Sequence, residues 1–256
     1  MLKFSANLSL LFTETELSLR FKAAKLQGFS AVELQFPYQL AAHTLAELLA
    51  QEGLKLVLFN VAADDLLQGG EGLACVPNKK PQFRLALEQA YAYAQVLKPE
   101  VINVLPGRCH DLRLYPAYLD TLQENLALAA ETFAPLGIKT VFEAINSDDM
   151  PGFLVTTGAQ MLAVLAQVQH ANLFMQYDIY HAYKMGADPA EFIRQHADNI
   201  AHIQFADCPG RGQPGTGQID FKQVFGAIRQ STYSGWIGAE YKPTGATVDS
   251  LGWFGS

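Results

Sequence analysis

Four short apolar runs, each closing on a side chain that carries an oxygen, constrain this chain most. They are Lys139-Thr-Val-Phe-Glu143, Leu173-Phe-Met-Gln-Tyr-Asp178, Ala201-His-Ile-Gln204 and Trp236-Ile-Gly-Ala-Glu240. Their endpoints are 35, 26 and 36 residues apart. Each interval is about one strand–helix unit of a (β/α)8 barrel, in which ~250 residues make eight units. Parallel strands bring their C-terminal ends to one face, so Glu143, Asp178, Gln204 and Glu240 would converge at the barrel mouth. Along the Leu173–Asp178 strand, side chains alternate, placing Phe174, Gln176 and Asp178 on one face. A carboxylate there needs a proton, a partner cation or a metal to offset its desolvation. The plainer role for Asp178 is to cap the next helix, with His181 in the loop that follows the strand.

The rest of the chain reads as scaffold for that convergence. Lys3–Leu8, Ala31–Phe36, Leu54–Phe59 and Glu100–Leu105 read as strands one to four. Thr13-Glu-Thr-Glu16 and Thr44-Leu-Ala-Glu47 have the spacing of capping boxes, in which a hydroxyl and a carboxylate satisfy free N–H groups at a helix start. Gly28 and Gly53 read as helix stops. Asp188 followed by Pro189 opens a further helix as cap and first residue, and Phe221, Val224, Phe225 and Ile228 recur at helical spacing after Asp220. Between Asn60 and Pro81 the pattern lapses. A loop that long is usually a functional lid or a disordered segment. Alternation of strands with helices predicts an α/β fold with a parallel sheet.

A chain of 256 residues, half of them hydrophobic and 17% charged, suits one large domain spanning 1–256. Three scattered cysteines make neither a disulfide framework nor a CxxC metal site. No signal-like or membrane-spanning apolar stretch is evident, so a cytoplasmic protein is expected. The net charge of −7 argues against a nucleic-acid partner, because neutralising phosphates needs a basic surface. The expected partner is a small molecule, with no nucleic acid and no membrane, and a homo-oligomer as a possible assembly.

Three carboxylates and one amide oxygen form a hard-oxygen set, suited to Mg2+ or Mn2+ more than to zinc. The alternative is four unrelated buried or capping residues. A metal there could hold a substrate carbonyl and hydroxyl and stabilise an enediolate, while Glu143 and Glu240 flank the substrate and move protons. His181 is a candidate for hydrogen-bonding a substrate oxygen, against a packing role. His202 reads as a hydrogen-bonded core histidine. Arg211, in a glycine-rich loop, could hold an anionic substrate group, against simple solvation, and Lys242 is a weaker anion-binding candidate.

These residues resemble the sugar isomerase and epimerase barrels related to xylose isomerase, and most closely the hydroxypyruvate isomerase and 2-oxo-tetronate isomerase family. The segments carrying the resemblance are Ser5-Ala-Asn-Leu-Ser9, Phe36-Pro-Tyr38, Phe142-Glu-Ala-Ile-Asn146, Gln176-Tyr-Asp-Ile-Tyr-His181, Pro214-Gly-Thr-Gly217 and Gly238-Ala-Glu-Tyr-Lys-Pro243. The resemblance implies a single TIM-barrel domain, with Glu143 and Glu240 as the acid/base pair. It also implies a divalent cation among Glu143, Asp178, Gln204 and Glu240. Gln204 stands where many wider relatives carry histidine, and a neutral amide binds metal less strongly. The implied substrate is a small 2-oxo acid: hydroxypyruvate, converted to tartronate semialdehyde, or a four-carbon 2-oxo-tetronate, towards which Leu251-Gly-Trp-Phe254 leans.

Two other readings compete. An endonuclease acting at abasic sites on the same fold would need a histidine-rich zinc cluster and a basic groove, which this sequence lacks. A non-catalytic sugar-acid binding protein would keep the pocket without the acid/base pair, yet both glutamates are present.

Overall fold

The computed structural model of the protein describes residues 2–254; Met1, Gly255 and Ser256 lie outside them. Eight parallel strands run in chain order around a closed barrel: β1 (Lys3–Asn7), β2 (Ala31–Glu33), β3 (Lys55–Asn60), β4 (Val101–Val104), β5 (Lys139–Glu143), β6 (Leu173–Asp178), β7 (Ile200–Phe205) and β8 (Trp236–Ala239). Pairing of β8 with β1, from Lys3 opposite Trp236 to Ala6 opposite Ala239, closes the ring. The helices are α1 (Leu17–Leu26), α2 (Ala42–Glu52), α3 (Lys80–Leu97), α4 (Tyr115–Phe133), α5 (Gly158–Val168), α6 (Ile179–Lys184), α7 (Pro189–His196) and α8 (Phe221–Gln230). A (β/α)8 barrel, the expected TIM-barrel class, is what the chain forms.

The helices bury the faces their sequences prescribe. In α3, Phe83, Leu87, Ala90, Ala94 and Leu97 are buried, the stripe an amphipathic helix turns to the strands. Asp220 caps α8 by accepting from Gln223 N, and the helix buries Phe221, Val224, Phe225 and Ile228. Asp188 caps α7 through Glu191 N, with Pro189 just inside. Helix α2 ends at Gly53, whose φ of +58° is left-handed.

Both expected capping boxes fail. Helix α1 starts at Leu17 and α2 at Ala42, and neither has a side-chain cap. The Thr13–Glu16 hydroxyls and acids are used elsewhere: Thr15 Oγ1 donates to Phe12 O, and Glu14 accepts from Thr247 N and Oγ1. Thr44 lies inside the first turn of α2 rather than before it. The box that does form is Thr157 with Gln160 at α5. Strand β2 is shorter than expected, because the chain turns outward before Pro37, which opens a 3-10 turn.

Apolar and polar layers divide the barrel interior. At the N-terminal end Ala31, Val57, Val101, Val141 and Ala201, packed by Phe174 and Trp236, form a plug. Two residues further along the strands, Glu33, Asn103, Glu143 and Gln176 take over the inward positions. Outside the strands, a continuous core reaches the C-terminal turn, where Phe254 stacks on Phe29 at 4.3 Å and Trp253 meets Phe4 and Phe205 edge-on. The segment between Asn60 and Pro81 is folded into two 3-10 turns, Leu66–Gln68 and Pro77–Lys79. No helix among the described residues is long and apolar enough to cross a membrane.

Candidate active site

The C-terminal ends of the strands open into a cavity of about 550 Å³. Five residues singled out in the sequence line it: Glu143, His181, Arg211, Glu240 and Lys242. Asp178 and Gln204 stand behind its wall, 3% and 1% exposed. Adjacent strands place them together, with Asp178 opposite Gln204 and Glu143 opposite Gln176.

Each glutamate is held by amides that the sequence reading passed over. Asn103 Nδ2 donates to Glu143 Oε1 at 2.8 Å. Glu240 Oε1 accepts from Asn7 Nδ2 at 3.1 Å and Gln35 Nε2 at 2.9 Å. Glu240 Oε2 meets Arg211 Nη2 at 2.5 Å. Asn7 and Asn103 lie on inward strand positions, where a short polar side chain in an apolar run is the signal that could have found them. Gln35 sits just beyond β2 and carries no such mark.

Three carboxylates so close cannot all be charged at no cost. Burial, with like charge from Glu240 and Asp178, pushes the Glu143 carboxyl up to about 8. Burial also raises Asp178 and Glu240, and in both the Arg211 guanidinium is the largest opposing influence. Glu143 is therefore suited to carry a proton, while the ion pair with Arg211 favours the charged form of Glu240.

Asp178 takes the capping role weighed for it. It closes β6 and caps α6, its Oδ1 accepting from Tyr180 N at 2.7 Å and His181 N at 3.3 Å. Its Oδ2 has no hydrogen-bond partner. His181 is not in a loop, as expected, but in the first turn of α6, because that cap starts the helix directly at Ile179. Burial, with the charge of Arg211, pushes the imidazole down to about 3. Asn146 Nδ2 lies 2.6 Å from its Nδ1, and Asn146 Oδ1 is already taken by Asp149 N. Nδ1 is thus the acceptor and Nε2 carries the hydrogen. Around it, Asp149 accepts from Tyr180 Oη at 2.8 Å and from Lys184 Nζ at 2.5 Å, so Lys184, on the cavity wall, has its charge engaged.

Arg211 projects from a loop knotted by Asp207, whose carboxylate accepts from the backbone N–H groups of Cys208, Gly215, Gly217 and Ile219. Arg211 itself has φ +56°, a left-handed conformation unfavourable for a side chain of this size. Lys242 N holds its carbonyl at 2.7 Å. The guanidinium lies 5.4 Å over the Tyr180 ring and 3.9 Å from Asp178 Oδ2. The Lys242 side chain is exposed at the rim.

Residues 21–256 match the family model described as xylose isomerase-like TIM barrel. Hydroxypyruvate isomerase of Escherichia coli K12 is 40% identical over 253 residues, covering 99% of this chain and 98% of that protein. A 2-oxo-tetronate isomerase of Pectobacterium atrosepticum is 38% identical over 251 residues, covering 98% and 96%. The chain belongs to the hydroxypyruvate isomerase and 2-oxo-tetronate isomerase family of xylose isomerase-like TIM barrels. A crystal structure from Brucella melitensis, described as an AP endonuclease of family 2, superposes with TM-score 0.96 at 33% identity, covering 99% and 98% of the two chains. An Escherichia coli 3-keto-D-glucoside 4-epimerase shares the fold, with TM-score 0.83 at 17% identity. As a member of this family the protein is an isomerase.

The divalent cation expected from the sequence would meet donors that suit it in kind. Asp178 Oδ2 is buried with no hydrogen bond to it, and burial raises all three carboxyls. Yet among the described residues no three His, Cys, Asp or Glu side chains are gathered as they would be around an ion. Arg211 supplies positive charge at Glu240 and Asp178. An ion bound by Glu240 would have to take Oε2 from that guanidinium.

Proposed function

We propose that this isomerase interconverts a small 2-oxo acid bearing a hydroxyl on carbon 3 with the corresponding 3-oxo-2-hydroxy acid, hydroxypyruvate giving tartronate semialdehyde. The observation that carries the reading is the pair Glu143 and Glu240 in one buried cavity, the first raised to about 8 and the second ion-paired to Arg211. Glu240, charged beside Arg211, removes a proton from carbon 3, and Glu143 delivers one to carbon 2. The hydroxyl hydrogen on carbon 3 passes to the neighbouring oxygen on carbon 2, which completes the balance. His181, neutral and donating through Nε2, polarises the carbonyl oxygen. Arg211, which lines the cavity with its side chain 22% exposed, holds the substrate carboxylate with the guanidinium donors that Glu240 leaves free. Lys242 adds positive potential at the rim. A Mg2+ or Mn2+ ion held by Glu143, Asp178, Gln204 and Glu240 would supply Lewis acidity to the substrate's carbonyl and hydroxyl oxygens.

The cavity also favours a second substrate. At about 550 Å³ it has room for the extra hydroxymethyl group of a 2-oxo-tetronate against Phe36, Leu67, Leu105 and Ile145. Turnover of hydroxypyruvate and of 2-oxo-tetronate by the purified, metal-supplied enzyme decides the order. Faster turnover of hydroxypyruvate is expected, and a large preference for the four-carbon acid would reverse it. Turnover of neutral ketoses with neither acid accepted would discard the carboxylate clamp.

A further inference from the structure

Behind the cavity wall lies a carboxylate with no part in the proton transfer. Glu33, the last residue of β2, is fully buried. Four side chains surround it: Ser5 Oγ at 3.2 Å, Asn7 Nδ2 at 3.1 Å, Gln204 Nε2 at 2.7 Å and His202 Nε2 at 2.8 Å. The fold makes room for it, since a methyl group at Gly238 would stand 2.4 Å from both carboxylate oxygens. Two of its partners reach the site: Asn7 also donates to Glu240, and Gln204 is one of the four oxygen residues.

An amide can face either way unless something fixes it. A carboxylate only accepts, so Gln204 must turn its NH2 to Glu33. Reversed, it would press one acceptor oxygen against another. With the nitrogen committed, the Gln204 oxygen accepts from Gln176 Nε2 at 2.6 Å, and Gln176 Oε1 is left buried without a partner. An unsatisfied buried carbonyl costs stability, so the amide sense runs outward from Glu33, through Gln204, to a residue that bears its cost. The Gln204 oxygen has two lone pairs, of which Gln176 takes one.

We propose that Glu33 is a positioning residue that fixes the sense of the Gln204 amide, committing its nitrogen and leaving oxygen as the group a cation can use. This rests on Gln204 being a cation ligand, as in the function proposed above. The neutral side chain at this position serves as a ligand because a buried carboxylate orients it.

Calorimetric titration of the full chain with Mn2+ alone tests this on four proteins: the parent, Glu33→Met, Gln204→Met and the double variant. Methionine fills the space of Glu33 without the carboxylate that accepts from Gln204. Each single change is expected to weaken Mn2+ binding about tenfold, the lower end of the range for partners of metal ligands. The double variant is expected to bind no more weakly than Gln204→Met. Parent-like affinity in Glu33→Met, or the same further loss on top of Gln204→Met, overturns the proposal while leaving the ligand assignment intact. If the parent binds no Mn2+, or Gln204→Met binds it as tightly as the parent, the ligand assignment itself fails and takes the proposal with it. Should Glu33→Met not fold, Glu33→Asp keeps the charge but is one methylene too short for Gln204. The same loss is expected there, and parent-like affinity again overturns the proposal.

Discussion

Arg211 Nη2 lies 2.5 Å from Glu240 Oε2, and the Nε of the same guanidinium has no hydrogen-bond partner. One terminal nitrogen pairs with a glutamate, and the side chain, 22% exposed, also lines the cavity. Arg211 therefore acts in two ways that a single substitution separates. Losing a charge-assisted hydrogen bond costs roughly 1.5–3 kcal/mol, so Arg211→Ala should lower kcat/KM for the acid substrate about 10- to 150-fold. The same change removes a competing cation from Glu240 and Asp178, so Mn2+ should bind more tightly. Steady-state kinetics and calorimetry check the two halves; weaker Mn2+ binding would show that Arg211 supports the ion rather than competing with it.

Stability should fall as pH rises through the neutral range. Burial and the neighbouring carboxylates lift Glu143 from 4.5 to about 8, so between those values the folded protein holds a proton that the unfolded chain has lost. Unfolding then becomes easier with rising pH. Glu143→Gln removes that proton and should flatten the slope, leaving the variant more stable than the parent at pH 8. Denaturant melts of the metal-free protein at pH 6.5 and pH 8, above the range in which His181 contributes a slope, measure it. A parent equally stable at both values would contradict the shift.

His181 should contribute the opposite slope at lower pH. Its imidazole, pushed by burial and by Arg211 to about 3, stays neutral when folded, whereas the unfolded residue titrates near 6.5. Its contribution to stability is thus present above about 6.5 and lost as pH falls towards 3. Nitrogen NMR of the ring should show a neutral Nε2–H tautomer from pH 5 to pH 8. A titration midpoint inside that range would remove its assignment as a neutral donor.

Gly238→Ala should destabilise the fold without touching the cavity. The added methyl would lie 2.4 Å from both oxygens of Glu33, which four hydrogen bonds hold in place. Overpacking of this kind costs typically about 1–3 kcal/mol, read as a lowered midpoint in a urea melt. An unchanged midpoint would mean that Glu33 moves freely.

The barrel and the positions of Glu143, Asp178, Gln204 and Glu240 were legible because a strand places alternate residues on one face, and their spacing followed the strand–helix repeat. The hydrogen-bonded core assignment of His202 held for the same reason. Glu33 was not legible. In Ala31-Val-Glu-Leu-Gln it alternates with apolar residues as though facing water, but the inner face of a closed barrel meets no solvent, and its partner Gln204 is 171 residues away. The capping boxes misled because their spacing is local, whereas Glu14 is claimed by Thr247 across the barrel seam. The place of His181 in α6 was hidden because Asp178 ends a strand and begins a helix with no loop between.

The central claim is that Glu143 and Glu240 move a proton on a small 2-oxo acid. Its most direct test follows hydroxypyruvate in D2O with the parent, Glu143→Gln and Glu240→Gln, all confirmed as folded. The parent should place deuterium on carbon 2 of the product. Both variants, nearly isosteric, should lose about 10²–10⁴-fold in turnover and incorporate deuterium correspondingly slowly. Turnover within a few-fold of the parent in both variants would contradict the claim, and so would a parent that isomerises hydroxypyruvate with no deuterium entering the product.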